Sequence, residues 1–134
     1  MWRVLVRDYS YKSGLIAGKI WSALNQKGSL NKKELMSTTS LDEDDFYIGL
    51  GWLAKENKIA KMEDRYILDN SNLETDIGFY AGKVWKILDI WEDADVDSIK
   101  YLSDLNDEQI HYALGWLARE DKICINERNR FTLK

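Results

Sequence analysis

The feature that most constrains this chain is an internal repeat with a spacing of 64 residues. Shifted by that amount, Ala17-Gly18-Lys19-Ile20-Trp21 falls on Ala81-Gly82-Lys83-Val84-Trp85. The run from Leu50 to Ile59 (Leu-Gly-Trp-Leu-Ala-Lys-Glu-Asn-Lys-Ile) falls on the run from Leu114 to Ile123. Gly14 and Gly78, Leu24 and Leu88, and Leu41 and Leu105 also coincide, giving 15 identities over the 46 positions from Gly14 to Ile59 without a gap. Two tryptophan-bearing blocks in one register are not a chance event, so the chain is two copies of one small unit. The organisation expected is a first unit over 1–69 with an N-terminal strand, a linker over 70–76 and a second unit over 77–134.

Each unit reads as three helices and a hairpin. Ser13 and Asp76 are N-cap candidates for first helices over 14–26 and 77–90. Ile16, Ile20, Ala23 and Leu24 form one apolar stripe, and Tyr80, Val84, Ile87 and Leu88 form the other. Gly28 is a C-terminal stop. Asn31 and Glu34 make a capping-box pattern before a short second helix, whose counterpart runs from about Asp97 to Leu102. Asp42 and Asn106 cap the third helices, which bury Phe46, Leu50, Leu53 and Ala54, and Ile110, Leu114, Leu117 and Ala118.

Gly51 and Gly115 lie inside those third helices, where glycine costs about 1 kcal/mol against alanine. Their retention in both copies predicts a close helix crossing. Hairpin patterns follow, 58–62 with 65–68 and 122–125 with 130–133, and Asp69-Asn70-Ser71-Asn72 makes a turn-rich connection between units. The N-terminal segment alternates as a strand would, with Trp2, Val4 and Val6 on one side and Arg3, Leu5 and Arg7 on the other. The fold class expected is mostly α with small β-hairpins (α+β), in the helix-turn-helix-plus-wing order.

The residues that carry the repeat resemble a known family. Gly-Trp-Leu-Ala-Arg/Lys-Glu-x-Lys-Ile at the end of the third helix, with Ala-Gly-Lys-Ile/Val-Trp in the first, is similar to the small prokaryotic winged helix-turn-helix family of unknown function. The resemblance spans Gly14 to about Leu68 and Gly78 to about Leu133. It implies two tandem winged helix-turn-helix domains forming a pseudo-dimer and, by analogy alone, association with DNA.

Composition narrows the function classes. Hydrophobic residues at 45% and charged residues at 31% describe a soluble globular chain, and no apolar run approaches the roughly 20 residues that cross a bilayer. Cys124 stands alone, which excludes an internal disulfide and a cysteine-based zinc site, and the cytoplasm is the compartment expected. Six tryptophans and seven tyrosines read as the aromatic area that a small core needs, with Trp21/Trp85 and Trp52/Trp116 as its framework.

No catalytic constellation or cofactor site is expected. His111 aligns with Tyr47 and reads as a surface or boundary residue, Cys124 as a small buried filler, and the run Glu92 to Asp97 as a solvated loop. Lys19 with Glu56, and Lys83 with Glu120, are expected to pair across the first and third helices of their own units.

The net charge of −4 is uneven: residues 1–70 hold 11 Lys and Arg against 10 Asp and Glu, whereas 71–134 hold 8 against 13. A winged helix that reads a groove needs Arg, Lys, Asn or Gln at the start of its third helix. The first unit offers Asp42-Glu43-Asp44-Asp45 there, and the second Asn106-Asp107-Glu108-Gln109. Those carboxylates favour the helix through capping and the macrodipole but repel phosphate. If DNA is a partner, the residues to carry it are Lys32 and Lys33 on the second helix, Lys58, Lys61 and Arg65 on the first wing, and Arg128 and Arg130 on the second. The alternative is a protein-interaction adaptor without DNA binding, monomeric or weakly homodimeric.

Overall fold

A computed structural model describes residues 9–134; the expected N-terminal strand lies outside them. The first unit contains α1 (Tyr9–Lys27), β1 (Ser29–Asn31), α2 (Lys32–Thr39), α3 (Glu43–Lys55), β2 (Ile59–Met62) and β3 (Arg65–Leu68). The second repeats the order as α4 (Glu74–Trp91), β4 (Asp93–Ala94), α5 (Val96–Ser103), α6 (Asp107–Arg119), β5 (Ile123–Ile125) and β6 (Phe131–Leu133). Each wing is a three-stranded antiparallel sheet, in the orders β1-β3-β2 and β4-β6-β5. The strands β1 and β4 are additions to the expected hairpins. They are too short to show alternation and form because Leu30 pairs with Tyr66, and Ala94 with Phe131. No helix among the described residues is long and apolar enough to cross a membrane.

Local chemistry sets most boundaries. Asn31 accepts from the Glu34 N–H while Glu34 returns the bond, and Asn106 and Gln109 repeat the arrangement at α6. The Asp42 carboxylate accepts from the Asp45 N–H at 2.8 Å. Gly28, at φ +90°, ends α1 with its N–H on the Leu24 carbonyl.

Two boundaries differ from expectation. Among the described residues the first helix already runs from Tyr9, so Ser13 is buried inside it and does not cap it. Contacts with the second unit hold this part of the helix: the Tyr9 ring meets Phe131 edge-on at 5.1 Å, and Ser10 Oγ donates to the Ala118 carbonyl at 2.8 Å. The second first-helix begins at Glu74 after Leu73, which leaves Asp76 in its first turn.

Each unit builds a core, and each core borrows from the other copy. Ile20, Leu24, Leu35, Phe46, Leu50 and Tyr66 are joined by Ile77 and Tyr112. Val84, Leu88, Ile99, Ile110, Leu114 and Phe131 are joined by Tyr9 and Ile48. Fully burying one such side chain stabilises by about 1.5–3 kcal/mol, so neither core is complete alone. The tryptophan framework needs correction. Trp52 and Trp116 pack over Gly14 and Gly78, but Trp21 and Trp85 are 39% and 38% exposed.

The predicted glycine crossing exists, and it joins the two units. A Cβ on Gly51 would stand 2.0 Å from the Tyr112 carbonyl oxygen, and one on Gly115 would stand 1.8 Å from that of Ile48. The crossing therefore puts α3 directly against α6 in a reciprocal way: each glycine faces the carbonyl three residues before the other copy's glycine, as about a pseudo-twofold axis.

The same symmetry corrects the expected Lys–Glu pairs. Glu56 meets Arg119 at 2.9 Å and Glu120 meets Lys55 at 4.0 Å, both across the crossing. Lys83 instead donates to the Ser103 carbonyl and lies over the Phe79 ring.

Candidate functional site

In a winged helix the outward face of the third helix is the part that enters a major groove. In this chain that face is occupied. From α3, Tyr47, Ile48, Gly51 and Trp52 meet α6, Trp52 while also packing over Gly14 of its own α1. The Tyr47 and Tyr112 rings stand 5.0 Å apart, and Arg119 lies over Trp52 as Lys55 lies over Trp116.

His111 is buried in this crossing and is not a surface group: its Nδ1 is 2.6 Å from the Asp107 carbonyl and its Nε2 is 3.6 Å from Asp44. Burial pushes the Tyr66 hydroxyl up to about 12, raises the Tyr112 hydroxyl further still, and also raises the Asp45 carboxyl. The crossing is thus a desolvated joint. A duplex could reach the joined faces of α3 and α6 only if the two units came apart, and the first turns left exposed carry Glu43, Asp44, Asp107 and Glu108.

The residues singled out for phosphate contact are largely engaged within the chain. Lys32 is held by the Glu43 carboxylate and by the Tyr47 hydroxyl, and the hydrogen bond to Glu43 is the main cause raising its ammonium pKa. Lys33 beside it is exposed. Lys58 lies 3.6 Å from Glu56, and Lys61 lies over the Tyr66 ring. Arg65 donates to the hydroxyl and carbonyl of Ser29 at 3.1 and 2.9 Å, fastening β3 to β1, and sits 3.4 Å from Glu34.

In the second wing Arg130 reaches Asp93 at 2.9 Å and Asp95 at 3.5 Å, while Arg128 reaches Asp93 at 3.3 Å. The acidic run is therefore structural and not a solvated loop. Asp93 lies in β4, with its carboxyl held below the usual range chiefly by Arg130, and Asp95 caps α5 through the Ser98 N–H. The wings supply arginines to their own sheets first.

Two surfaces escaped the sequence reading. One is a pair of equivalent grooves, of about 340 Å³ beside α1 and about 270 Å³ beside α4. Gly14, Gly18, Trp21, Trp52, Glu56 and Lys58 line the first, and Gly78, Gly82, Trp85, Trp116, Glu120 and Lys122 line the second. All twelve belong to the retained identities, which is the signal that could have found them.

The other surface belongs to the second unit alone. Ile90 and Trp91 at the end of α4 are 65% and 58% exposed, and Tyr101 and Leu102 on α5 are 85% and 39% exposed. The last three line a cavity of about 480 Å³ together with Asp97 and Arg130. The aligned residues of the first unit are Gln26, Lys27, Ser37 and Thr38. Comparing the copies position by position, and not only their identities, would have exposed that change.

The family described as "Winged helix-turn-helix domain (DUF2582)" matches the chain twice, over residues 9–68 and 62–133. No curated protein and no solved structure matches it. With both copies matched and both wings in place, the chain belongs to that winged helix-turn-helix family as a tandem pair.

Proposed function

We propose that this chain is a non-enzymatic protein-interaction module. The observation that carries the reading is the crossing at Gly51 and Gly115, which spends both groove-reading helix faces on joining the two units. The acidic starts of α3 and α6 and the arginines committed to Ser29, Asp93 and Asp95 support it further. Exposed aromatic surface is what the module offers instead, and such patches mark interaction sites more often than solvent-facing chance.

A second reading keeps DNA as the partner through the wings. Lys33 and Lys61 favour it, since neither has a carboxylate partner among the described residues. Lys32, Lys58, Arg65, Arg128 and Arg130 would have to release internal partners to join them. Titration of a labelled random duplex at about 50 mM salt separates the two readings, because even sequence-independent phosphate binding is visible there. The expected result is no binding at tens of micromolar protein. A complex that forms there and weakens steeply as salt is raised would establish the wing-led reading instead.

A further inference from the structure

The second unit carries an apolar, acid-rimmed face that the first lacks. Trp91, Tyr101 and Leu102 line one open cavity between the end of α4 and α5, and exposed Ile90 adjoins them in the chain. Four large apolar side chains left this open on one small unit are unusual for a surface that meets only water. Folding does not require them, because the first unit builds the same two helices with Gln26, Lys27, Ser37 and Thr38 at those positions. Charge changed with them, in the lining at Asp97 and beside Ile90 and Trp91 in the chain at Asp89 and Glu92. Asp89, Glu92 and Asp97 stand where the first unit has Asn25, Gly28 and Lys33. Asp93 and Asp95 are neutralised by Arg130, whereas no ion pair holds Asp89, Glu92 or Asp97 among the described residues.

We infer that this face docks a short segment of another protein that is apolar on one side and basic on the other. The argument rests on the protein-interaction reading above and adds the partner's chemistry. An apolar side chain of the segment enters between Trp91 and Tyr101, and a Lys or Arg of the segment meets Asp97. Aromatic anchors within a polar rim are the usual form of an interaction hot spot. Charge complementarity sets the sign of the partner, because an acidic segment would face Asp97, the carboxylate of the lining that no ion pair holds among the described residues.

The test uses the full chain and a fluorescein-labelled synthetic amphipathic peptide of Lys, Leu and Trp, with a counterpart bearing Glu at every Lys position, followed by anisotropy. The Lys peptide should bind and the Glu peptide should not. Exchanging in the residues of the first unit, Trp91→Lys with Tyr101→Ser, should weaken binding about ten-fold or more, with the unfolding midpoint unchanged since both side chains are exposed. The reciprocal exchange, Lys27→Trp with Ser37→Tyr, should create a second, weaker site.

Lys-peptide binding unaffected by the Trp91/Tyr101 exchange would overturn the proposal, as would equal binding of the Glu peptide or no binding of either. A wild-type dimer in sedimentation that the same exchange abolishes would assign the face to a second copy of the chain and overturn it too. None of these outcomes depends on the duplex titration, so this site can fail while the protein-interaction reading stands.

Discussion

The two units share one fold but differ in their surfaces, and the glycine crossing and the ends of the first two helices stand at opposite extremes. At the crossing, Gly51 faces Tyr112 as Gly115 faces Ile48, and Glu56 meets Arg119 as Glu120 meets Lys55. At the ends of the first and second helices nothing corresponds: Gln26, Lys27, Ser37 and Thr38 stand opposite Ile90, Trp91, Tyr101 and Leu102. The two glycines of the crossing cannot gain a Cβ without meeting backbone, whereas the exposed residues at these helix ends vary at little cost to folding. The second unit's exposed aromatics are informative because the first unit shows that the fold manages without them.

The symmetry of the crossing is the easiest part of this comparison to break. Gly51→Ala and Gly115→Ala each drive a Cβ into a backbone carbonyl and should lower stability by about 2–4 kcal/mol in denaturant unfolding. Gly18→Ala meets no atom within 4 Å and should raise stability by about 0.5–1 kcal/mol through helix propensity. If the two crossing variants behaved like Gly18→Ala, the units would not be joined there.

Next in size is the bend before β4. Glu92 adopts φ 72°, ψ −55°, where the first unit has Gly28 at φ +90°. Glu92→Gly should stabilise by about 1 kcal/mol by relieving a conformation costly to any side chain, while weakening the Lys peptide only slightly by removing a charge next to Trp91 in the chain. Changes of the same sign in both measurements would separate the bend from the binding face.

A double-mutant cycle on Glu56 and Arg119 should give a coupling below about 1 kcal/mol, as expected for a partly exposed pair. The cycle on Lys55 and Glu120 should give less, given 4.0 Å against 2.9 Å. A larger coupling for the longer pair would contradict the geometry.

The smallest expected effect is local. The carboxyl of Asp93 is depressed, chiefly by Arg130, so its contribution is present above its unfolded value near about 4 and lost as pH falls through the folded value. Ser29 occupies that place in the first wing and does not titrate. Amide protection in β6 should therefore drop relative to β3 upon acidification, and Asp93→Asn should remove the difference. Parallel loss in both wings would show that Asp93 is not responsible.

Much of the fold was legible because its signals are local. The capping residues Asn31, Asp42 and Asn106 act within three positions, and the helical stripes repeat at fixed spacing. The helical turn ahead of Ser13 was not, since Tyr9 and Ser10 are held by Phe131 and Ala118, more than a hundred residues away. The repeat pointed correctly to a close approach at Gly51 but not to its partner. Identity at a fixed spacing serves contacts within a unit and contacts across a twofold axis equally well, which is why Glu56 was assigned to Lys19 and belongs to Arg119. The aromatic face was missed for a different reason: it lies in the differences between copies, which a search for identities passes over.

The connection between units has a consequence of its own. Asn72 exchanges hydrogen bonds with the Lys61 backbone, and Asn57 accepts from the Ser71 N–H, so the short segment from Asp69 to Asn72 leaves the first wing along a defined path. A tether of this length holds each half near the other at an effective concentration of order millimolar, whatever the abundance of the chain in the cell. Two separate subunits would meet only by mass action, and any substitution would appear on both. Covalent linkage frees assembly from dosage and lets one half acquire a tryptophan at position 91 while the other keeps a lysine at position 27.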